Sequence, residues 1–395
     1  LFVYLCADFY QEIEMRKSVF TLSLIVAALG LAACGKKEET PAAPAAAPVA
    51  SAPPAAPSLL IGLAIPETHV ERWVGDAEFM KKDLEAMGYK VDVAFADGDQ
   101  SKQNKQIEDM VTKGAKAIVV GSVTEAAAQA VESAKKAGVP VISYDRLITG
   151  TDAYDYYLTF DNFKVGQLQG QAIKDALALD TAKGKNITLF AGSPTDNNAR
   201  FFFDGAMDVL KPFVTSGALK ICGPAPTNSG DATWSKITTE GWAADKAKAR
   251  METLLSGACK SVKLDAVLAP NDTLARAVIG ALEQDGKYKT LPVITGQDGE
   301  LLSAKWIMEG KQTMTVFKDT RVLAKGTAEA VNSIVKGTAP ALTVKARTDT
   351  TTYNTGKKIV TSFLLEPVAV TKDNLNKELV DSGFYTAEAV AKGTK

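Results

Sequence analysis

Histidine is almost missing from this chain of 395 residues, which carries one, His69. Ser-His-Asp triads, Cys-His pairs and His-rich metal centres all need imidazole as base or ligand, so a single ring nearly removes those classes. Cysteine is sparse, with four residues, and no CxxC, HExxH or GxxxxGK[ST] pattern occurs. Neither sign of charge prevails, since 45 Lys and Arg face 46 Asp and Glu. That balance leaves no basic stripe for nucleic acid and no acidic tail. The apolar run near the start, Val19 to Leu31, is too short to span a bilayer. Together these absences point to binding rather than catalysis.

What is present begins with that same run. It follows Met15, Arg16 and Lys17 and ends in Leu31-Ala32-Ala33-Cys34. A basic head, a short apolar core and small residues before a cut describe a secretory signal. Met15 is then the expected start, with residues 1–14 upstream of it; the alternative is a genuine extension. The LAAC ending resembles the lipobox of bacterial lipoproteins, which implies an acylated Cys34 heading the mature chain; plain secretory cleavage near Ala33 is the alternative. Residues 1–34 are therefore read as leader. From Gly35 to Ser58, Pro and Ala dominate and Val49 is the lone large apolar residue. Such a stretch buries no core, and its repeated prolines break a helix, so residues 35–58 read as a tether.

From Leu59 onward strand and helix alternate. LLIGLAI (59–65) is an apolar run of strand length, and residues 73–87 place Val74, Ala77, Met80, Leu84 and Met87 at helical spacing before Gly88. Further strands are expected at 91–96, 117–120, 139–143 and 156–160, with helices at 99–111, 124–137 and 161–178. A second series follows, with strands at 187–190, 219–222, 266–268, 293–295 and 313–317. Its helices are expected at 199–210, 243–255, 274–284, 301–308 and 320–335. A repeat of roughly 25–30 residues per strand–helix unit is the rhythm of βαβ crossovers. The fold class is α/β, in two Rossmann-like lobes with parallel sheets, and the cleft between them is the default ligand site. Cys222 and Cys259 remain available for pairing, a question the sequence leaves open.

In an open α/β sheet, ligands sit past the carboxyl ends of the strands. The stretch GVPVISYDR delivers Asp145 and Arg146 to such an end, and PETHVERW delivers Glu71, Arg72 and Trp73 to another. The second half offers Asp196, Asn197 and Asn198, then Asn271 and Asp272, Gln297 and Asp298, and Lys318, with Trp242 before a helix. Each has a plainer use: the Asp and Asn residues suit helix N-caps, an Asp-Arg or Lys-Asp pair suits the surface, and the Trp residues suit a core. Recurring amides, carboxylates and cations with a Trp from each half nonetheless suit a hydroxyl-rich ring, bound edgewise by planar polar groups and facewise by aromatics.

Those stretches carry a resemblance. ERW (71–73), SYDRLI (143–148), FDNFKVGQLQ (160–169), GSPTDNNA (192–199), DAVLAPND (265–272), TGQD (295–298), TMTVFKDTR (313–321) and PVAVTKDN (367–374) resemble the periplasmic pentose- and hexose-binding proteins of ABC importers. The D-xylose and multiple-monosaccharide types are the nearest. The resemblance implies a type I periplasmic binding protein fold, its lobes joined by three crossovers near 160–163, 318–320 and 347–350. The first lobe would be 59–162 plus 319–348, the second 163–318 plus 349–395. It implies that Arg72, Asp145, Arg146, Asp196, Asn198, Asn271, Asp298 and Lys318 bond a monosaccharide while Trp73 and Trp242 sandwich its ring. It further implies a monomer without cofactor or metal in the periplasm, serving ABC permease subunits or, alternatively, a chemoreceptor or sensor kinase. The lipid anchor expected from LAAC departs from its Gram-negative members, which are mostly free in the periplasm. PETHV (66–70) and the loop 225–241 match the xylose binders poorly.

Overall fold

The computed structural model describes residues 59–394; the leader, Cys34 and the tether lie outside the described residues. The chain opens with β1 (Leu60–Ile65), α1 (Arg72–Ala86), β2 (Lys90–Phe95), α2 (Gln100–Thr112), β3 (Ala117–Val120), α3 (Ala128–Lys136), β4 (Val141–Tyr144) and β5 (Tyr156–Phe160). Strands β1, β3 and β4 are buried on both faces, as parallel strands between helical layers must be. Helix α1 buries Trp73, Asp76, Ala77, Met80 and Leu84, a stripe at helical spacing that seats it on the sheet.

The chain then builds a second lobe from α4 (Asn162–Ala176), β6 (Lys185–Leu189), α5 (Asn197–Thr215), β7 (Leu219–Ile221), α6 (Ala244–Ser256), β8 (Ala266–Leu268), α7 (Asp272–Asp285), β9 (Val293–Ile294), α8 (Leu301–Glu309) and β10 (Met314–Phe317). Its parallel sheet runs β7-β6-β8-β9. Backbone bonds from Thr313 N–H to Ile294 O and from Val316 N–H to Gly296 O, both 3.1 Å, carry the ladder on to β10. Helices α4 and α5 meet through glycine. A Cβ on Gly166 would sit 2.0 Å from the Phe202 carbonyl oxygen, and one on Gly205 would sit 2.1 Å from that of Phe163. Only bare backbone permits this approach, and it sets the angle at which α5 presents its first turn.

The chain crosses between lobes three times. The first two crossings follow β5 and β10, where Asp161 and Asp319 cap the next helices by accepting from the N–H groups of Lys164 and Arg321. Helix α9 (Thr320–Val335) returns to the first lobe and packs on α1. The third crossing differs from expectation. Strands β11 (Arg347–Asp349) and β12 (Thr361–Leu365) stay in the first lobe, where β12 pairs in parallel with β5 and completes a sheet of order β11-β12-β5-β4-β3-β1-β2. The exchange expected near 347–350 therefore falls after Leu365, because the TSFLL segment has the free edge of β5 to pair with. Beyond it, β13 (Val368–Thr371) pairs antiparallel with β10, and α10 (Ala387–Lys392) packs on α8. Cys222 and Cys259 form a disulfide with Cα atoms 5.8 Å apart, the pairing the sequence left open. Among the described residues, no helix is long and apolar enough to cross a membrane.

Candidate functional site

The carboxyl ends of the strands from both lobes face one another across the cleft. The ten residues that the resemblance assigned to a sugar line one small cavity of about 30 Å³ there, together with Val70, Phe202 and Gln297. From the first lobe come Arg72 and Trp73 on α1, and Asp145 and Arg146 after β4. From the second come Asp196 and Asn198 at the start of α5, Trp242, Asn271 before α7, Asp298 after β9, and Lys318 after β10.

The charged groups are strapped to one another. Arg72 donates from Nη1 to Asp145 Oδ2 at 2.7 Å and from Nη2 to Asp76 Oδ2 at 2.6 Å, and reaches Asp298 Oδ1 across the cleft at 3.8 Å. Arg146 donates from Nη2 to Glu67 Oε1 at 2.6 Å and from Nη1 to the Ser122 carbonyl at 3.2 Å, with Nε 3.2 Å from Asp196 Oδ2 of the other lobe. Lys318 Nζ lies 2.9 Å from Asp298 Oδ1. Both guanidiniums also sit over the Trp73 ring, 5.0 and 5.1 Å from its centroid. Along the cavity wall three cations meet three carboxylates, so the lining favours a guest without net charge.

Burial pushes the Asp145 carboxyl up, but Arg72, Lys318 and Arg146 together outweigh burial and hold it below its ordinary value. At Asp196 burial wins: Arg146 offsets it only in part, and the carboxyl titrates above the usual range. Asp76, fully enclosed behind Arg72, is raised for the same reason. Two buried acceptors at the wall, Asp298 Oδ1 and Gln297 Oε1, receive no protein hydrogen bond, and the Lys318–Asp298 contact is an ion pair without hydrogen-bond alignment. Buried acceptors of this kind are costly unless a guest supplies donors.

The backbone is shaped to the same end. Among the described residues five non-glycines have positive φ, and three of them, Asp145 at 59°, Trp242 at 56° and Asp298 at 95°, line the cavity. Such strain persists where surroundings over-determine it, and it clusters at binding sites. At Asp145 the surroundings are explicit. Its carbonyl accepts from Tyr157 Oη at 2.5 Å, Thr159 Oγ1 at 3.0 Å and, from the other lobe, Asn198 Nδ2 at 2.8 Å. Trp242 donates from Nε1 to Asp196 Oδ2 at 3.1 Å, and its ring lies where a Cβ on Gly192 would be, 2.0 Å from it. Asp196 and Asn271 serve doubly, capping α5 and α7 while facing the cavity. Asp272 does not reach the wall. It is buried in the second lobe, accepting from Gln312 Nε2 at 2.7 Å and Thr315 Oγ1 at 2.9 Å. Glu67, Asp76 and Tyr157, which act behind the wall, went unnoticed in the sequence; Glu67 has the signal of following β1, Asp76 that of standing four residues after Arg72, and Tyr157 none. Among the described residues no cluster of His, Cys, Asp and Glu is placed to hold a metal ion.

Residues 61–339 match the periplasmic binding protein domain. The chain belongs to the periplasmic binding protein family. This binding protein is 45% identical over 334 residues to the multiple sugar-binding periplasmic receptor ChvE of Rhizobium radiobacter, covering 83% of the chain and 91% of the relative. It is 37% identical over 326 residues to the D-xylose-binding periplasmic protein of Escherichia coli, covering 82% and 90%. An ABC transporter solute-binding protein from Clostridium phytofermentans, solved with bound β-D-glucose, superposes with a TM-score of 0.77 at 41% identity, over 84% of this chain and 99% of that one. The two-lobed architecture is the type I periplasmic binding protein fold. This is a solute-binding protein and not an enzyme.

Proposed function

We propose that this binding protein captures a monosaccharide, xylose or a related pentose or hexose, between its lobes in the periplasm and delivers it to an ABC importer. The observation that carries the reading is the cavity wall: three cations and three carboxylates in balance, two Trp residues, and two buried acceptors, Asp298 Oδ1 and Gln297 Oε1, that take no protein hydrogen bond. Hydroxyl groups supply donors to those oxygens and acceptors to Arg146 and Lys318, and Trp73 and Trp242 supply faces for the C–H side of the ring. Arg72, Asp145, Asp196, Asn198 and Asn271 complete the set. Relatives named for several sugars and for D-xylose, and a glucose-bound neighbour, support the same ligand class.

The test is a thermal-shift panel on residues 58–395 with D-xylose, D-glucose, D-galactose, L-arabinose and D-ribose. A ligand that binds only the folded state raises Tm. One or two monosaccharides should do so, and a flat panel would sink the reading. Lipid attachment through Cys34 belongs to the same proposal, and Cys34→Ser should release the protein from membranes. Docking of the loaded form on a chemoreceptor or sensor kinase is the second reading, favoured by the receptor named among the relatives. A strain without the permease that still responds to the sugar would support it.

A further inference from the structure

The lone histidine sits at the rim of the cavity. His69 lies in the turn between β1 and α1 of the first lobe, and its Nε2 is 3.1 Å from the Gly241 carbonyl oxygen of the second. The same Nε2 is 3.4 Å from Glu67 Oε2. Facing two acceptors, Nε2 carries the ring hydrogen.

From His69 the contacts close into a ring. Glu67 offers its other oxygen, Oε1, to Arg146 Nη2 at 2.6 Å; Arg146 Nε faces Asp196 Oδ2 at 3.2 Å; and that oxygen accepts from Trp242 Nε1 at 3.1 Å. Trp242 follows Gly241, whose carbonyl meets His69. The ring therefore crosses the cleft twice, at Arg146–Asp196 and at His69–Gly241. The Gly241–Trp242 turn is held in the left-handed region, φ 64° and 56°, and Gly241 N–H donates to Ser193 Oγ at 3.2 Å. Its carbonyl is thus a fixed target. The His69 side chain is 46% exposed whereas that of Glu67 is 4% exposed, so this outer crossing is the one that meets solvent.

We infer that His69 is the latch of the cleft: a positioning residue that holds the Trp242 turn against the first lobe and sets how long a bound sugar stays. The inference rests on the proposed sugar-binding function. His69 needs no contact with the sugar itself, since it acts through Gly241 on Trp242 and through Glu67 on Arg146. The charged groups around it are Glu67, Asp97 with its partner Lys102 (Nζ–Oδ2 2.6 Å), and Arg146 behind Glu67, with the exposed Glu240 adjoining Gly241 on the opposing turn.

The experiment is stopped-flow Trp fluorescence of sugar release, with D-glucose and D-xylose as probes, on wild type, His69→Ala and His69→Gln. Loss of one neutral hydrogen bond across the cleft should speed release about five- to ten-fold in His69→Ala, with the association rate changed less. The Gln amide reaches the Gly241 carbonyl with an N–H and should recover most of the slow release. Release from His69→Ala within two-fold of wild type overturns the latch and leaves the receptor reading standing. A wild type that takes none of the five sugars of the thermal-shift panel overturns the receptor reading, and the latch falls with it; where only another of the five binds, that sugar is the probe.

Discussion

Arg146 bears the largest share of the wall's organisation. Its guanidinium holds Glu67, the Ser122 carbonyl and Asp196 at once, and lies over Trp73. Arg146→Ala would leave Glu67 and Asp196 buried without a cation, and loss of one member of a buried charged pair costs about 2–5 kcal/mol. Calorimetric titration of the variant with the sugar that wild type binds should show the affinity reduced at least thirty-fold or abolished. Unchanged affinity would remove Arg146 from the site. Two neighbouring carboxylates carry opposite signs in stability. Asp145 is held below its ordinary pKa, so its ionised form stabilises the fold above about pH 4, and that gain is lost as pH falls through the depressed value. Asp145→Asn should therefore lower Tm at pH 7, and the gap to wild type should close on acidification below about pH 4. Asp196 is raised, so its ionised form opposes folding at neutral pH. Asp196→Asn relieves that penalty but takes the carboxylate from Arg146 Nε, so it should weaken sugar binding while lowering Tm less than Arg146→Ala does; an equal or larger loss of Tm would refute this balance.

At the scale of elements, the stretch from Cys222 to Cys259, irregular as far as α6, decides how firmly Trp242 stands. It holds two short 3₁₀ turns, at Trp234–Lys236 and Glu240–Trp242, and its ends are tied by the disulfide. A cross-link over a sequence separation of 37 removes about 4 kcal/mol of unfolded-chain entropy on the simplest account. Reduction, or Cys222→Ser with Cys259→Ser, should lower Tm by several degrees and weaken sugar binding in the same variant. Loss of stability with affinity intact would show that the cross-link does not position Trp242. Within the stretch, the loop 225–241 touches the PETHV turn through Gly241 and His69, and these are the two segments expected from sequence to match the xylose binders poorly. Selectivity among pentoses and hexoses is best sought by exchanging the two together.

Across the whole molecule, two lobes hold one another at Arg72–Asp298, Arg146–Asp196, Asn198–Asp145 and His69–Gly241. A ligand that stabilises these contacts should reduce the radius of gyration in small-angle scattering, and an unchanged radius on saturation would argue against closure. Much of this was legible in the sequence, because buried parallel strands such as AIVV and AVL are apolar runs and the residues just past them fall on one side of the sheet. The third crossing was not. Strand β11 is polar, β12 mixes Thr and Ser with Phe and Leu, and after β11 comes TTTYNTGKK, so nothing in their composition says which sheet has a free edge. The supporting shell escaped as well. Asp76 sits one helical turn beyond Arg72, where spacing alone reads as an ordinary surface pair, and only the fold encloses it.

The balanced cavity wall has one more consequence. A neutral guest entering a site with as many cations as carboxylates transfers no net charge and displaces no condensed ions. Occupancy should then follow sugar concentration alone, with the dissociation constant nearly constant from dilute buffer to several hundred millimolar salt. Outside the cytoplasm, where ionic strength follows the surroundings rather than the cell, such a receptor reports nutrient and ignores brine.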